Sequence, residues 1–91
     1  MKRRDIRAVL KEAVRQNGIE KAYLFGSFAR GADKFNDLDI AIEPPQGFTL
    51  LDLSRLANKI IEKTGLPVDL VTLRSLHPKL RATIEREMIA L

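Results

Sequence analysis

Residues 21–42 have the sequence KAYLFGSFARGADKFNDLDIAI, and this stretch indicates the fold more clearly than any other part of the chain. Its first five residues are mostly apolar and are typical of a short β-strand, which Gly26 ends. Residues 37–42 alternate in character, as a strand with one buried face does. One face would carry Leu38, Ile40 and Ile42, and the other Asp37, Asp39 and Ala41. The stretch therefore predicts two strands joined by a glycine-containing turn, with two carboxylates on one face of the second strand.

The turn between these strands, GSFARG, has the features of a phosphate site. Ser27 can cap a short helix over about residues 28–30, and backbone N–H groups at the start of a helix attract anions. Gly26 would let the backbone approach a phosphate closely, while the Ser27 hydroxyl can donate to a phosphate oxygen. Arg30 and Lys34 lie just beyond and could complete a clamp on a triphosphate. Taken alone, the same residues are also compatible with a plain tight turn and a serine cap.

The rest of the chain adds helices and a third strand around this pair. Apolar residues at helical spacing predict a helix over about residues 4–17, and another over about 49–64 that opens with a capping box. Residues 68–72 form a third predicted strand, parallel to the second, and Pro78 suits the first turn of a final helix. The expected core residues of the last two helices are Leu53, Leu56, Ala57, Ile60 and Ile61, then Leu80, Ile84, Met88 and Leu91. We expect a single α/β (α+β) domain over residues 1–91, a small mixed three-stranded sheet flanked by about four helices.

Three carboxylates occupy positions that a core does not favour. Asp37 and Asp39 are two residues apart on one strand and project from the same face, and Asp69 lies in the strand predicted beside them. Converging carboxylates repel one another and lose water, which destabilises the fold unless cations neutralise them. Two divalent ions held roughly 3.5–4 Å apart can clamp the attacking and leaving oxygens of a phosphoryl displacement. The alternative is that the three are ordinary polar residues at strand ends that point into solvent.

The composition narrows the chemistry further. The chain has no cysteine and one histidine, which excludes a disulfide scaffold, a thiolate zinc site, a cysteine nucleophile and a nitrogen-rich metal cluster. Any metal must therefore be held by oxygen, which points to Mg²⁺ or Mn²⁺. No apolar run approaches the roughly 20 residues of a membrane span. The charged beginning of the chain leads into a mixed helix instead of an apolar signal region, so we expect a cytoplasmic protein without membrane contact.

Residues 26–39 follow the pattern G-S-x3-G-x5-D-x-D, and a helix and a strand carrying Asp69 come after it. In this the chain resembles the nucleotidyltransferase superfamily of DNA polymerase beta, specifically its minimal nucleotidyltransferases, small proteins often paired with HEPN-type partners. The resemblance extends from about Tyr23 to Thr72 and implies the nucleotidyltransferase fold. Asn36 departs from it, because many relatives carry Ser before the first Asp. A polar residue is kept there, so the change is compatible with the family's site.

The resemblance implies a role for each motif residue. Asp37 and Asp39 would bind two Mg²⁺ ions, and Asp69 would bind the catalytic metal and help to activate the incoming hydroxyl. Gly26 and Ser27 would hold the β- and γ-phosphates of ATP or another NTP. The implied activity is metal-dependent transfer of a nucleoside monophosphate, with AMP from ATP as the leading expectation, to an acceptor hydroxyl.

The resemblance also implies a partner. Since little chain follows the motif region, acceptor specificity would come from a partner chain or from dimerisation. In the minimal family the usual partner is an all-helical HEPN protein, commonly a ribonuclease toxin, which some antitoxins of the family modify with AMP. Two other functions stay open: a nucleotidyltransferase acting on RNA or a small molecule, and a non-catalytic module that binds a toxin by contact alone.

The first predicted helix also carries a basic stripe opposite its apolar face. The stripe consists of Arg4, Arg7, Lys11 and Arg15. These residues fall within about 80° on a helical wheel and could dock an acidic partner or nucleic acid. No aromatic residues interleave the charges, so a solvated outer face is favoured over docking of either an acidic partner or nucleic acid.

Overall fold

The structure, a computed structural model, describes all of residues 1–91. Its elements in chain order are helix α1 (Arg3–Gln16), strand β1 (Lys21–Phe25), helix α2 (Gly26–Ala29), strand β2 (Leu38–Glu43), helix α3 (Leu50–Thr64), strand β3 (Val68–Thr72), a 3₁₀ turn (Leu73–Ser75), helix α4 (Pro78–Glu87) and strand β4 (Ile89–Ala90). The predicted α/β class is confirmed, and the first three strands lie within one residue of their predicted bounds. No helix is long and apolar enough to cross a membrane.

The strands form one mixed sheet in the order β3-β2-β1-β4. β1 pairs antiparallel with β2, and β2 pairs parallel with β3 after the chain crosses over through α3. The predicted parallel pair is therefore confirmed. The predicted count of three strands is wrong, because β4 adds a fourth strand along the edge of β1.

The fourth strand forms because helix α4 ends earlier than the sequence predicts. α4 ends at Glu87, and Met88 takes an extended conformation with φ −72° and ψ 147°. The next two residues pair with β1, and the Leu91 N–H then donates to the Ala22 carbonyl oxygen at 2.9 Å. Backbone groups on the open edge of β1 gain partners in this way, which a longer α4 would have left unpaired.

Two helices bury fewer residues than their apolar spacing predicts. In α4 only Ile84 is buried, and Leu80 is 51% exposed. In α3, Leu56 and Ile60 are buried, whereas Ile61 is exposed at 38%. Consecutive helix residues point about 100° apart around the helix axis. When Ile60 of α3 faces the narrow sheet, the side chain of Ile61 therefore points away from it.

The long helix α3 begins as predicted, with a capping box. The Thr49 hydroxyl accepts from the Asp52 N–H at 3.1 Å, and the Asp52 carboxylate accepts from the Thr49 N–H at 2.8 Å. The Thr49 N–H and the Thr49 hydroxyl both donate to the Asp52 carboxylate, which holds the pKa of that carboxyl below its usual range. Gly65 ends the helix in the left-handed region at φ 72°. Both ends of the crossover are thus fixed, which sets where β3 meets β2.

The hydrophobic core lies between one face of the sheet and helices α1 and α3. It contains Ile6, Leu10, Ala13, Val14, Ile19, Ala22, Leu24, Phe28, Leu38, Ile40, Ile42, Leu56 and Ile60. The predicted inner face of β2 is completely buried in this core. Since side chains alternate along a strand, burial of that face directs Asp39 to the opposite side of the sheet.

Candidate active site

The carboxylates predicted from the sequence lie at the end of the sheet where β1 ends and β2 and β3 begin. Asp39 pairs in register with Asp69 of β3 on one side and with Phe25 of β1 on the other. Paired residues of neighbouring strands leave the sheet on the same face, so the Asp39 and Asp69 side chains are neighbours. Asp37 comes just before β2, two residues from Asp39. We call these three residues the acidic corner.

The charges of the acidic corner act on the Asp39 carboxyl. Burial raises the pKa of the Asp39 carboxyl above its usual range, and the charges of Asp37 and Asp69 raise it further. The Arg30 guanidinium acts in the opposite direction and lowers that pKa. The repulsion by Asp37 and Asp69 outweighs the attraction by Arg30, so the acidic corner holds an excess of negative charge. Such an excess favours the binding of cations.

The acidic corner is open to solvent. Asp37 and Asp69 are exposed, and Asp39 is half-buried. No three Asp, Glu, His or Cys side chains lie at the spacing that would enclose a metal ion. The four cavities of the chain, of about 220–350 Å³, are lined by other residues. A ligand would therefore approach these carboxylates at an exposed surface, not in a pocket.

Gly26 lies against the acidic corner, and the structure gives it a role that was not predicted. It follows β1 directly, opens α2 and has a positive φ of 75°. A Cβ at this position would lie 3.0 Å from Asp39 Cγ and closer still to Asp39 Oδ2. Only glycine leaves space for that carboxylate, so the motif glycine accommodates Asp39 in addition to permitting a tight turn. The pairing of Phe25 with Asp39 is the register that creates this contact.

Ser27 and Lys34 are two other residues for which the sequence predicts a role near the turn. The N-cap of α2 is Phe25, with no side-chain cap, so the predicted capping role of Ser27 is wrong. The reason is that the helix begins at Gly26, one residue before Ser27. Lys34 is exposed in the loop between α2 and β2, and it forms no salt bridge there.

Arg30 links the acidic corner to α4. It is the C-cap of α2, and its Nη1 lies 3.3 Å from the Glu87 carboxylate oxygen Oε2. The same guanidinium lowers the pKa of Asp39. Sequence analysis missed Glu87, because 57 residues separate it from Arg30 and no local pattern connects them.

Arg3 supports the segment that follows the turn. Its guanidinium donates to the Phe28 carbonyl oxygen at 2.8 Å and to the Ala32 carbonyl oxygen. The same group lies 4.7 Å from the ring centroids of Phe28 and Phe35, which pack edge to face. A cation held by two carbonyls and two aromatic faces fixes α2 and the loop behind it against α1. Spacing along the chain gives no signal for this contact either.

Comparisons with known proteins point to one family. The family described as nucleotidyltransferase domain matches residues 6–91. A Methanocaldococcus jannaschii protein, provisionally named a protein adenylyltransferase, is 39% identical over 90 residues, which cover 98% of this chain and 91% of the relative. A solved structure provisionally identified as a minimal nucleotidyltransferase superposes with a TM-score of 0.81 at 38% identity, covering 98% of this chain and 91% of the other. A toxin–antitoxin crystal structure with AMP-PNP gives a TM-score of 0.78 at 28% identity, covering 91% and 69%.

Proposed function

This chain belongs to the nucleotidyltransferase domain family and is a minimal nucleotidyltransferase, and on that premise we propose that it transfers AMP from ATP to a hydroxyl of a partner protein. The observation that carries the proposal is the acidic corner, in which Asp39 and Asp69 are paired in register and Asp37 lies two residues away. The relative's name and the AMP-PNP in the toxin–antitoxin structure support protein as acceptor and an adenine nucleotide as donor.

The acidic corner offers the type of ligand that Mg²⁺ or Mn²⁺ takes, and its three side chains would have to converge to enclose an ion. All three side chains offer carboxylate oxygens, the ligands these ions prefer. The mutual repulsion that raises the pKa of Asp39 is the kind of charge excess that bound cations relieve. Asp37 and Asp39 would hold two ions, and Asp69 would share the catalytic one. When bound, the ions would lower the pKa of the acceptor hydroxyl and offset the charge of the triphosphate and the departing pyrophosphate.

The chain's own residues would bind the nucleotide and orient the acceptor. We propose that backbone N–H groups at Gly26 and the Ser27 hydroxyl bind the β- and γ-phosphates. Arg30 would exchange its ion pair with Glu87 for one with the triphosphate, since it already acts on the Asp39 carboxyl. The acceptor hydroxyl would attack the α-phosphorus beside Asp69, with pyrophosphate leaving toward Ser27.

The open surface of the acidic corner supports a protein acceptor. A small-molecule acceptor is usually held in a concave pocket, whereas these carboxylates line none of the four cavities. A partner protein brings its own surface and can cover an exposed site while presenting a hydroxyl. We therefore propose a HEPN-type helical toxin as the acceptor, with the chain acting as its antitoxin.

The test is transfer of label from α-³²P-ATP in the presence of Mg²⁺. The acceptors are the chain alone, a small helical protein encoded by a neighbouring gene, and total RNA. The inactive variant is Asp37→Asn/Asp39→Asn. The matched control is Asp33→Asn, since Asp33 is an exposed carboxylate of the same loop and lies outside the acidic corner.

We expect label on the helical protein that depends on Mg²⁺, disappears in the double variant and persists in Asp33→Asn. Label on RNA would replace the protein acceptor with a nucleic-acid one. Full transfer by the double variant would contradict the role given to the carboxylates. A stable complex that forms equally well with the double variant, with no label on any acceptor, would leave a non-catalytic toxin-binding module.

A further inference from the structure

A separate cavity of about 340 Å³ lies between the first turns of α1, helix α2 and strand β4. It contains no residue of the acidic corner. We call it the arginine pocket. It is lined by Arg3, Arg4, Arg7, Leu24, Phe28, Ala29, Gly31 and Ile89.

The charge of the arginine pocket is unlike that of the other cavities. Three arginines are among its lining residues, and no Asp or Glu is. Each of the other three cavities includes Glu20 or Glu43 among its lining residues. No negatively charged side chain of the lining offsets the positive charge of this pocket, and this favours binding of an anion.

The three arginines keep donors available for such an anion. Arg3 is held in place by two carbonyl oxygens and two aromatic rings and forms no salt bridge. Arg7 Nη2 makes one long contact of 3.4 Å with the Ala90 carbonyl oxygen. Arg4 is 77% exposed, and its Nε lies 4.0 Å from Asp5. A guanidinium has five N–H donors, so most of those in the pocket are unused.

The floor of the arginine pocket is apolar. Leu24 and Phe28 are buried beneath it, whereas Ile89 is 38% exposed and offers a free apolar surface. The lining has no amide, hydroxyl or carboxylate side chain that could distinguish the edges of a base. The pocket therefore suits a carboxylate next to an apolar group, within a volume that fits one or two side chains.

The structure also explains why nucleic acid is a poor occupant. The basic stripe predicted on α1 is interrupted, because Arg15 is paired with Glu12 at 2.5 Å. Lys11 and Arg15 line a different cavity, together with Glu20. Unpaired positive charge is therefore concentrated at one end of α1, whereas a phosphate backbone requires an extended basic track.

We propose that the arginine pocket docks an acidic segment of a partner protein. One carboxylate side chain would bind between Arg4 and Arg7, and a neighbouring apolar side chain would lie on Ile89. Arg3, already fixed in place, adds charge that lowers the free energy of the bound carboxylate. This docking is independent of nucleotide transfer and would persist if the acidic corner were inactivated.

The experiment is selection of random displayed peptides on the full chain, with peptides that also bind the Arg4→Glu/Arg7→Glu variant removed. We expect the enriched peptides to combine Asp or Glu with an adjacent Leu, Ile or Phe. A synthetic peptide from this set should bind the wild-type chain roughly tenfold or more tighter than the Arg7→Glu variant. Arg55→Glu is the matched control, because Arg55 is exposed on α3 and lines no cavity.

Backbone amide chemical shifts of the wild-type chain provide a second measurement that needs no variant. Saturable shifts confined to α1, α2 and β4 on addition of the peptide would support the proposal, as would loss of binding in the milder Arg7→Gln variant. Enrichment of peptides without acidic residues, equal binding to Arg7→Glu, or no enrichment over the variant would overturn it. Tighter binding of a single-stranded RNA oligonucleotide at the same amides would also overturn it in favour of nucleic acid.

Discussion

Replacing Gly26 with alanine tests the contact that joins the turn to the acidic corner. Gly26 has φ 75°, and its added Cβ would lie 3.0 Å from Asp39 Cγ. Gly31 has the same φ of 75°, but a Cβ there would meet no atom within 4 Å. The two substitutions therefore share the backbone strain, and only the substitution at Gly26 adds a contact with Asp39.

The expected magnitudes follow from this difference. An L-residue in the left-handed region is destabilised by roughly 1–2 kcal/mol, and the stiffer unfolded chain offsets about 0.4–1 kcal/mol of that. Gly31→Ala should therefore lower the free energy of unfolding by about 1 kcal/mol. Gly26→Ala should lower it by a further ~1–3 kcal/mol, because the Asp39 carboxylate must move or β1 and β2 must separate. A domain with ~5–15 kcal/mol of stability stays folded in both variants.

The assay is urea unfolding of both variants beside label transfer from ATP. We expect Gly31→Ala to keep transfer activity and Gly26→Ala to lose it. The double variant Gly26→Ala/Asp39→Ala should recover the stability lost through the contact, so the two changes should be strongly non-additive. Equal stability of the two single variants, or additive effects in the double variant, would refute the reasoning.

Three other predictions concern Asp39, Glu87 and Thr49. Because the pKa of Asp39 is raised, its ionised carboxyl destabilises the folded chain as pH rises through that pKa. Asp39→Asn should therefore raise the urea midpoint at neutral pH without added metal and leave it unchanged near about pH 3. Glu87→Gln should tighten binding of a fluorescent ATP analogue severalfold by releasing Arg30, with stability changed by less than about 1 kcal/mol. This gain in affinity should vanish when the chain also carries Arg30→Gln, and Glu85→Gln alone should give no gain. An equal gain from Glu87→Gln with and without Arg30 would indicate an effect of net charge alone. Thr49→Ala should lower the free energy of unfolding by about 1 kcal/mol in urea titrations through loss of the α3 cap, and an unchanged midpoint would contradict that contribution.

The carboxylates of the acidic corner were predictable because their positions depend on local rules. Alternation along β2 places Asp39 opposite the buried face, with Asp37 just before the strand, and the crossover through α3 makes β3 the parallel neighbour of β2. The capping box at Thr49 and the left-handed Gly65 are likewise signals of a few adjacent residues. Such features hold wherever the segment occurs in a fold, so sequence is sufficient to predict them.

The sequence by itself therefore determined the class of fold, the order of its elements and the residues that form the acidic corner. Only the tertiary structure decided the fourth strand, the space that Gly26 leaves for Asp39 and the pairing of Arg30 with Glu87. It also brought Leu24, Phe28 and Ile89 beside three arginines of α1, which forms one localised pocket. Each of these depends on contacts between segments far apart in the chain, and their geometry is set by how helices pack on the sheet and which backbone edges remain to be paired.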